Sequence, residues 1–175
     1  MRAVLSRAPG GPETLVVEEV LDPRPMKGEV VIEVRAVGVN FPDTLIIEDR
    51  YQFKPTRPFS PGGEVAGVVE AIGEGVTTVR KGDRVIAVPG WGGMVERLAV
   101  PAASVMKIPD AMDFNTAAAL VMTYGTSYYA LKDRANLQAG ERLLVLGAAG
   151  GVGVAAVELG KAMGASVTAA ASTND

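Results

Sequence analysis

The 175-residue chain has no cysteine and no histidine. Without cysteine no disulfide can form. The two absences together remove the usual ligands of zinc, and with them the Cys–His and Ser–His pairs of nucleophilic catalysis. A basic block is missing as well: 17 Lys and Arg are interspersed with 20 Asp and Glu, a formal net charge of −3, so nucleic-acid binding has no electrostatic footprint. Long apolar runs are also lacking. The stretch from Leu143 to Leu159 is broken by glycines and carries Glu158, too short and too interrupted to cross a bilayer. Met1-Arg2-Ala3-Val4-Leu5-Ser6-Arg7 opens no apolar signal core, and the default reading is a cytoplasmic protein with no membrane partner. Chemistry is left to carboxylates, hydroxyls, backbone dipoles or a borrowed cofactor.

What is present is 48% apolar and 21% charged residues, the balance of a globular protein with a buried core. The length allows one full domain and part of a second. Up to about residue 110 the chain reads as β-rich. Short β-branched runs occur at Thr14–Val17, Val30–Val34, Val65–Ile72 and Val85–Val88, and Met94–Val100 alternates in places like a half-buried strand. Gly and Pro punctuation between them suggests a barrel or sandwich. Trp91, between Gly90 and Gly92, reads as a packing residue.

The character then changes. Asp113 or Asn115 can cap a helix running through Ala117-Ala118-Ala119-Leu120 to about Arg134. Tyr124 and Tyr128 on it, four residues apart, read as a core stripe. Leu137-Gln138-Ala139-Gly140 is a turn, Arg142–Leu146 a strand, Gly151–Met163 an Ala-rich helix and Ser166–Ala171 a second strand. That order is a βαβ unit of about thirty residues. The domain boundary falls near residue 120. A single βαβ unit leaves parallel strand edges open, so the chain reads as roughly half of a longer parent, whose sheet edge would pair in a homodimer.

Gly147-Ala148-Ala149-Gly150-Gly151-Val152-Gly153 lies between that first strand and the helix. Glycines there permit a sharp turn and let backbone N–H groups approach a pyrophosphate at a helix N-terminus; Gly153 would let helix and strand pack closely. The acidic residue that holds the ribose of NAD is expected about twenty positions on. Ala171, Ser172 and Thr173 stand there instead, and a carboxylate appears only at Asp175. A 2′-phosphate would meet no repulsion at Ser172, which favours NADPH over NADH.

These residues resemble the medium-chain dehydrogenase/reductase superfamily along the whole chain, and within it the zinc-free NADPH:quinone oxidoreductases of the zeta-crystallin kind. Gly62-Gly63-Glu64, Gly67, Gly73 and Val76 keep the spacing of the zinc alcohol dehydrogenase signature, with Gly63 in place of its zinc-ligating histidine. Val39-Asn40-Phe41-Pro42-Asp43, Tyr51 with Pro55, Pro58 and Pro61, Val121–Thr126 and Gly147–Gly153 are similar to further segments of that branch. Asp49-Arg50 depart from it, standing where many relatives have a Gly-containing turn, which predicts a different local loop.

The resemblance implies an α/β plus β fold: a GroES-like β-barrel catalytic domain over residues 1–120, then the first βαβ unit of a Rossmann dinucleotide-binding domain over 121–175. It implies hydride transfer from NADPH to a quinone or α,β-unsaturated carbonyl without zinc. Asn40, Asp43, Tyr51 and Thr126 would be the catalytic residues, and Thr126, Ala149, Gly150, Gly151, Val152, Gly153 and Ser172 the cofactor contacts. Each has a plainer reading: Asn40 and Asp43 as helix caps, Tyr51 as a ring under a Pro-rich loop, Thr126 as a hydroxyl bonded to its own helix. Glu64 reads as structural in a glycine-framed turn. Some relatives are structural, crystallin-like proteins, so a non-enzymatic NADPH-binding scaffold is the alternative. With neither cysteine nor histidine to ligate it, zinc measured by elemental analysis on this chain is expected at background, and a chelator should leave dinucleotide binding unchanged. Stoichiometric zinc would refute the reading of Gly63.

Overall fold

In a computed structural model, residues 1–172 are described. The chain divides into two compact units, Met1–Ala119 and a second beginning at Leu120.

The first unit is built on strands β1 (Arg2–Leu5), β2 (Val16–Glu19), β3 (Glu29–Gly38), β4 (Glu64–Ile72), β5 (Arg84–Ala87), β6 (Arg97–Pro101) and β7 (Val105–Lys107), with short helices α1 (Phe41–Ile47) and α2 (Phe114–Ala118). Five strands form an antiparallel sheet in the order β6-β3-β4-β5-β7, and β1 pairs antiparallel with β2. Backbone bonds from Val4 N–H to the Met94 carbonyl (2.9 Å) and from Ser6 N–H to the Phe59 carbonyl (2.8 Å) tie β1 to the rest of the unit. The core is the β-branched set read from the sequence: Val30, Ile32, Val65, Val69, Val85 and Val100, all buried. Burying each such side chain contributes roughly 1.5–3 kcal/mol, and here they come from four sheet strands at once. Two expected strands shift. Pro12 places Thr14 in a tight turn, so the strand begins at Val16. Gly92 and Gly93 hold Met94 in a loop that bonds to β1, so β6 starts only at Arg97.

In the second unit, helical turns cover Val121–Gly125, α3 (Thr126–Tyr128) and Tyr129–Arg134, the first and last with the wider π-type hydrogen bonding. The long helix expected from Asp113 is therefore two pieces. Asp113 caps α2 by accepting the Thr116 N–H (2.9 Å), and the run breaks at Ala119, where ψ reaches 5°. Strands β8 (Arg142–Leu146) and β9 (Ser166–Ala170) pair in parallel around helix α4 (Gly151–Ala162). The core stripe does not form: Tyr128 and Tyr129 are exposed, and Tyr124 donates its hydroxyl to Glu158.

The β3–β4 pair is tight where Val34 faces Gly67. A Cβ on Gly67 would run into the Glu33 carbonyl oxygen and lie 2.8 Å from Ile32 Cγ2. Gly67→Ala is therefore expected to destabilise the protein by about 1–3 kcal/mol and lower its Tm by several degrees in a thermal melt. An unchanged melt would show that the strands separate freely at that point.

Candidate functional site

In the first unit, the site grows from the end of β3. Asn40 has extended backbone (φ −122°, ψ 157°) and Pro42 stands in the first turn of α1, a start that suits both residue types. Asp43 is 5% exposed, and both its carboxylate oxygens are used: Oδ2 accepts the Asn40 N–H at 2.8 Å and Oδ1 the Gly62 N–H at 3.0 Å. The carboxylate thus joins the helix start to the glycine loop before β4. Asn40 Nδ2 donates to Glu64 Oε1 at 3.0 Å, and Glu64 is 2% exposed at the head of β4. This fixes the amide's rotation, nitrogen toward Glu64 and oxygen away from it. Glu64 thus holds the Asn40 amide from the first residue of the strand. Asp43 has a positioning geometry, since no lone pair aimed outward is needed to explain its burial.

Gly63 lies inside this frame, and a Cβ there would stand 3.3 Å from the Gly90 carbonyl oxygen and 3.9 Å from Asp43 Oδ1. Among the described residues, no group of three or more Asp, Glu, His or Cys could hold a metal ion. Tyr51 packs on the cluster of Ile46, Ile47 and Phe59, and its ring meets Phe53 edge-on at 5.6 Å between centroids. Trp91, read as a packing residue, is 41% exposed and lies 6.4 Å from Phe53 between centroids. The positive φ of Gly90 (84°) and Gly92 (98°) turns the loop so that the indole stands outward.

The Asp49-Arg50 departure is absorbed locally. Asp49 takes φ 57°, the left-handed conformation a glycine adopts without strain, and its carboxylate is held by Arg57 at 2.7 Å. Arg57 also donates to the Ile47 carbonyl (2.8 Å), closing the C-terminal end of α1. Sequence reasoning missed Arg57, since nothing local in Thr56-Arg57-Pro58 announces it.

In the second unit, β8 ends at Leu146, Gly147 (φ 66°) turns the chain, and Ala148 N–H bonds to the Ala170 carbonyl at 3.0 Å, anchoring the turn to the end of β9. Gly150 is the extended residue before α4 and donates to the Gly147 carbonyl at 3.1 Å. The helical ladder opens with Val154 N–H to the Gly150 carbonyl (2.8 Å), so the N–H groups of Gly151, Val152 and Gly153 precede it. Ala149, Gly150, Gly151 and Val152 are exposed, and no side chain caps the helix start. A Cβ on Gly153 would strike the Gly147 carbonyl oxygen and lie 2.8 Å from Ala148 Cα. Gly153 therefore closes the turn itself. The close packing of helix on strands falls to Gly160, where a Cβ would lie 2.6 Å from Leu143 Cδ2.

Ser127, 2% exposed, donates to the Val152 carbonyl at 2.8 Å and fixes the first turn of α4; beside the more obvious Thr126 it went unnoticed in the sequence. Thr126 is exposed at the start of α3, and the bond back to a helix carbonyl is made instead by Thr123, to Leu120 (3.4 Å). The Tyr124 phenol is pushed above its usual range, first by its hydrogen bond to Glu158 and then by desolvation. Ser172 is exposed beyond β9, while Thr173 and Asp175 lie outside the described residues.

Residues 26–110 match the family described as the alcohol dehydrogenase GroES-like domain. The human quinone oxidoreductase is 40% identical over 177 aligned residues, covering 100% of this chain and 54% of that protein. The solved quinone oxidoreductase of Thermus thermophilus, also determined in complex with NADPH, superposes with a TM-score of 0.88 at 40% identity, covering 99% of this chain and 54% of its own. The Escherichia coli quinone oxidoreductase complexed with NADPH gives 0.93 at 32% identity, covering 99% and 53%. The chain belongs to the medium-chain dehydrogenase/reductase superfamily, in its quinone oxidoreductase branch, with a GroES-like domain followed by a βαβ unit. It spans about half the length of these relatives.

Two substitutions test the geometry. Asp43→Asn places an amide N–H₂ against one of two backbone donors, and a buried unsatisfied group costs about 1–3 kcal/mol; a thermal melt should fall accordingly, and an unchanged melt would contradict the double acceptance. Gly153→Ala should lower the stability by about 1–3 kcal/mol in a melt, because the turn must open to admit the methyl group; an unchanged melt would contradict the close contact with Gly147.

Proposed function

We propose that the full-length protein carrying this chain is an oxidoreductase that uses NADPH to reduce a quinone or an α,β-unsaturated carbonyl, without zinc. The observation that carries the reading is the turn after β8: exposed glycines, a helix start with three N–H groups ahead of the ladder, and no side chain in the way. A pyrophosphate fits such a start by hydrogen bonding and by the helix dipole. When bound, the reduced dinucleotide supplies a hydride from the C4 of its nicotinamide. Ala149, Gly150, Gly151, Val152 and Gly153 would hold the phosphates, Ser172 the 2′-phosphate, and Thr126 a hydroxyl contact to cofactor or acceptor.

In the first unit, Asn40 is the group for the acceptor. Its amide is held by Glu64, and its backbone by Asp43, so it can hydrogen-bond an acceptor without first being ordered. Tyr51 offers a phenol for a carbonyl oxygen. The stoichiometry needs one hydride and one proton: a quinone becomes a hydroquinone, and an enone gains hydride at its β-carbon and a proton at its α-carbon. Both acceptors are electron-poor and take hydride without a Lewis acid to polarise an alcohol, which agrees with Gly63 at the position of a metal ligand.

The test follows nicotinamide absorbance with the full-length protein, NADPH and a panel of quinones and enones. Consumption of NADPH with at least one acceptor of these classes is expected. Tight NADPH binding with no oxidation by any of them would overturn the reading and favour a non-enzymatic scaffold.

A further inference from the structure

Three aromatic residues stand in file on the first unit. Tyr51 is half-buried on the α1 cluster, Phe53 is 49% exposed, and Trp91 is 41% exposed; their ring centroids are 5.6 Å and 6.4 Å apart in that order. Large exposed aromatic groups placed side by side are unusual in a chain with 5% aromatic residues, and their order here is not left to chance. Trp91 is carried by a loop whose glycines bond at three points to the segment before β4. Gly90 N–H donates to the Gly63 carbonyl at 3.2 Å, Gly92 N–H to the Ser60 carbonyl at 2.6 Å and Gly93 N–H to the Gly62 carbonyl at 3.0 Å. Gly62 in turn donates to Asp43, the carboxylate that holds Asn40. The indole is thereby set by the same buried frame that sets the proposed acceptor-binding amide.

We propose that Trp91, backed by Phe53, is the residue that sets acceptor shape, binding broad planar acceptors by stacking and giving no advantage to small ones. This rests on the reductase reading above. The electron-rich indole face and the electron-poor ring of a fused quinone attract in an offset stack, and the gain grows with the overlapped area. An acceptor with one small ring covers little of the surface offered by Phe53 and Trp91. The interplanar angles of 65° and 43° show that the rings do not stack face to face on one another, and Phe53 and Trp91 keep 49% and 41% of their surface exposed. Trp91 also walls an open cavity of about 440 Å³ with Val88, Leu98 and Pro101. A purely structural role there would affect every acceptor alike.

The experiment has two readouts on the full-length protein. The first titrates naphthoquinone and follows tryptophan emission, with Trp91→Phe as the subtraction control. The emission lost in that variant belongs to Trp91, the single tryptophan of these 175 residues. Saturable quenching beyond the linear, collisional response of free N-acetyltryptophanamide is expected. The second compares turnover of Trp91→Ala and Trp91→Phe with naphthoquinone and with cyclohexenone. The KM for naphthoquinone should rise about tenfold in Trp91→Ala, return most of the way in Trp91→Phe, and stay within about twofold for cyclohexenone in both. Linear quenching, or a KM change equal for both acceptors, would overturn the role of Trp91 while leaving the reductase reading intact. Saturable quenching with no turnover of any acceptor would do the reverse, keeping the stacking site and removing the reductase.

Discussion

The first unit depends on one buried carboxylate. Asp43 accepts two backbone N–H groups that lie 22 residues apart, at Asn40 and Gly62, and so fastens the start of α1 to the loop that enters β4. A carboxylate this deep is tolerated because each oxygen has its donor. Once it is in place the rest follows by geometry: Glu64 at the head of β4 meets the Asn40 amide, Gly63 is held between Asp43 and Gly90, and the loop bearing Trp91 bonds back to residues 60–63. The hydrogen-bonded frame does the positioning.

The second unit solves a different problem with the same economy of side chains. Its turn after β8 must be sharp, must leave donors uncovered, and must not let the following helix drift. Gly147 supplies the left-handed conformation, Gly153 the contact with the preceding carbonyl, and Ser127 the clamp on Val152 from a neighbouring helical segment. π-type hydrogen bonding on both sides of α3 widens the helix where Thr126 and Ser127 emerge, a distortion often found at functional positions.

Much of this could be read from the sequence, because it is local. The β-branched core of β3, β4 and β5, the βαβ order and the glycine turn each rest on patterns a few residues long. So does the capping role of Asn40 and Asp43. What could not be read depends on partners distant in the chain. Arg57 bonding to Asp49 and Ile47, Ser127 reaching Val152, and Gly62 turning Asp43 from a cap into a bridge have no signature in their own neighbourhoods. The aromatic misreadings share a cause. Periodicity placed Tyr128 in a core, and neighbouring glycines suggested packing for Trp91, but burial is decided by what covers a residue, and both are only partly covered. Asp49 shows the converse: a non-glycine residue takes a left-handed backbone, and its ion pair with Arg57 helps hold it there.

The central claim is that Asn40 is held by the buried carboxylates as one unit. A double-mutant cycle between Asn40→Ala and Glu64→Ala, read by chemical denaturation of the full-length protein, tests it most directly. The account predicts a coupling free energy of about 0.5–3 kcal/mol, as for contacting residues of one network. Effects that add within about 0.3–0.5 kcal/mol would contradict it, and would mean that Asn40 is placed by the backbone of α1 alone.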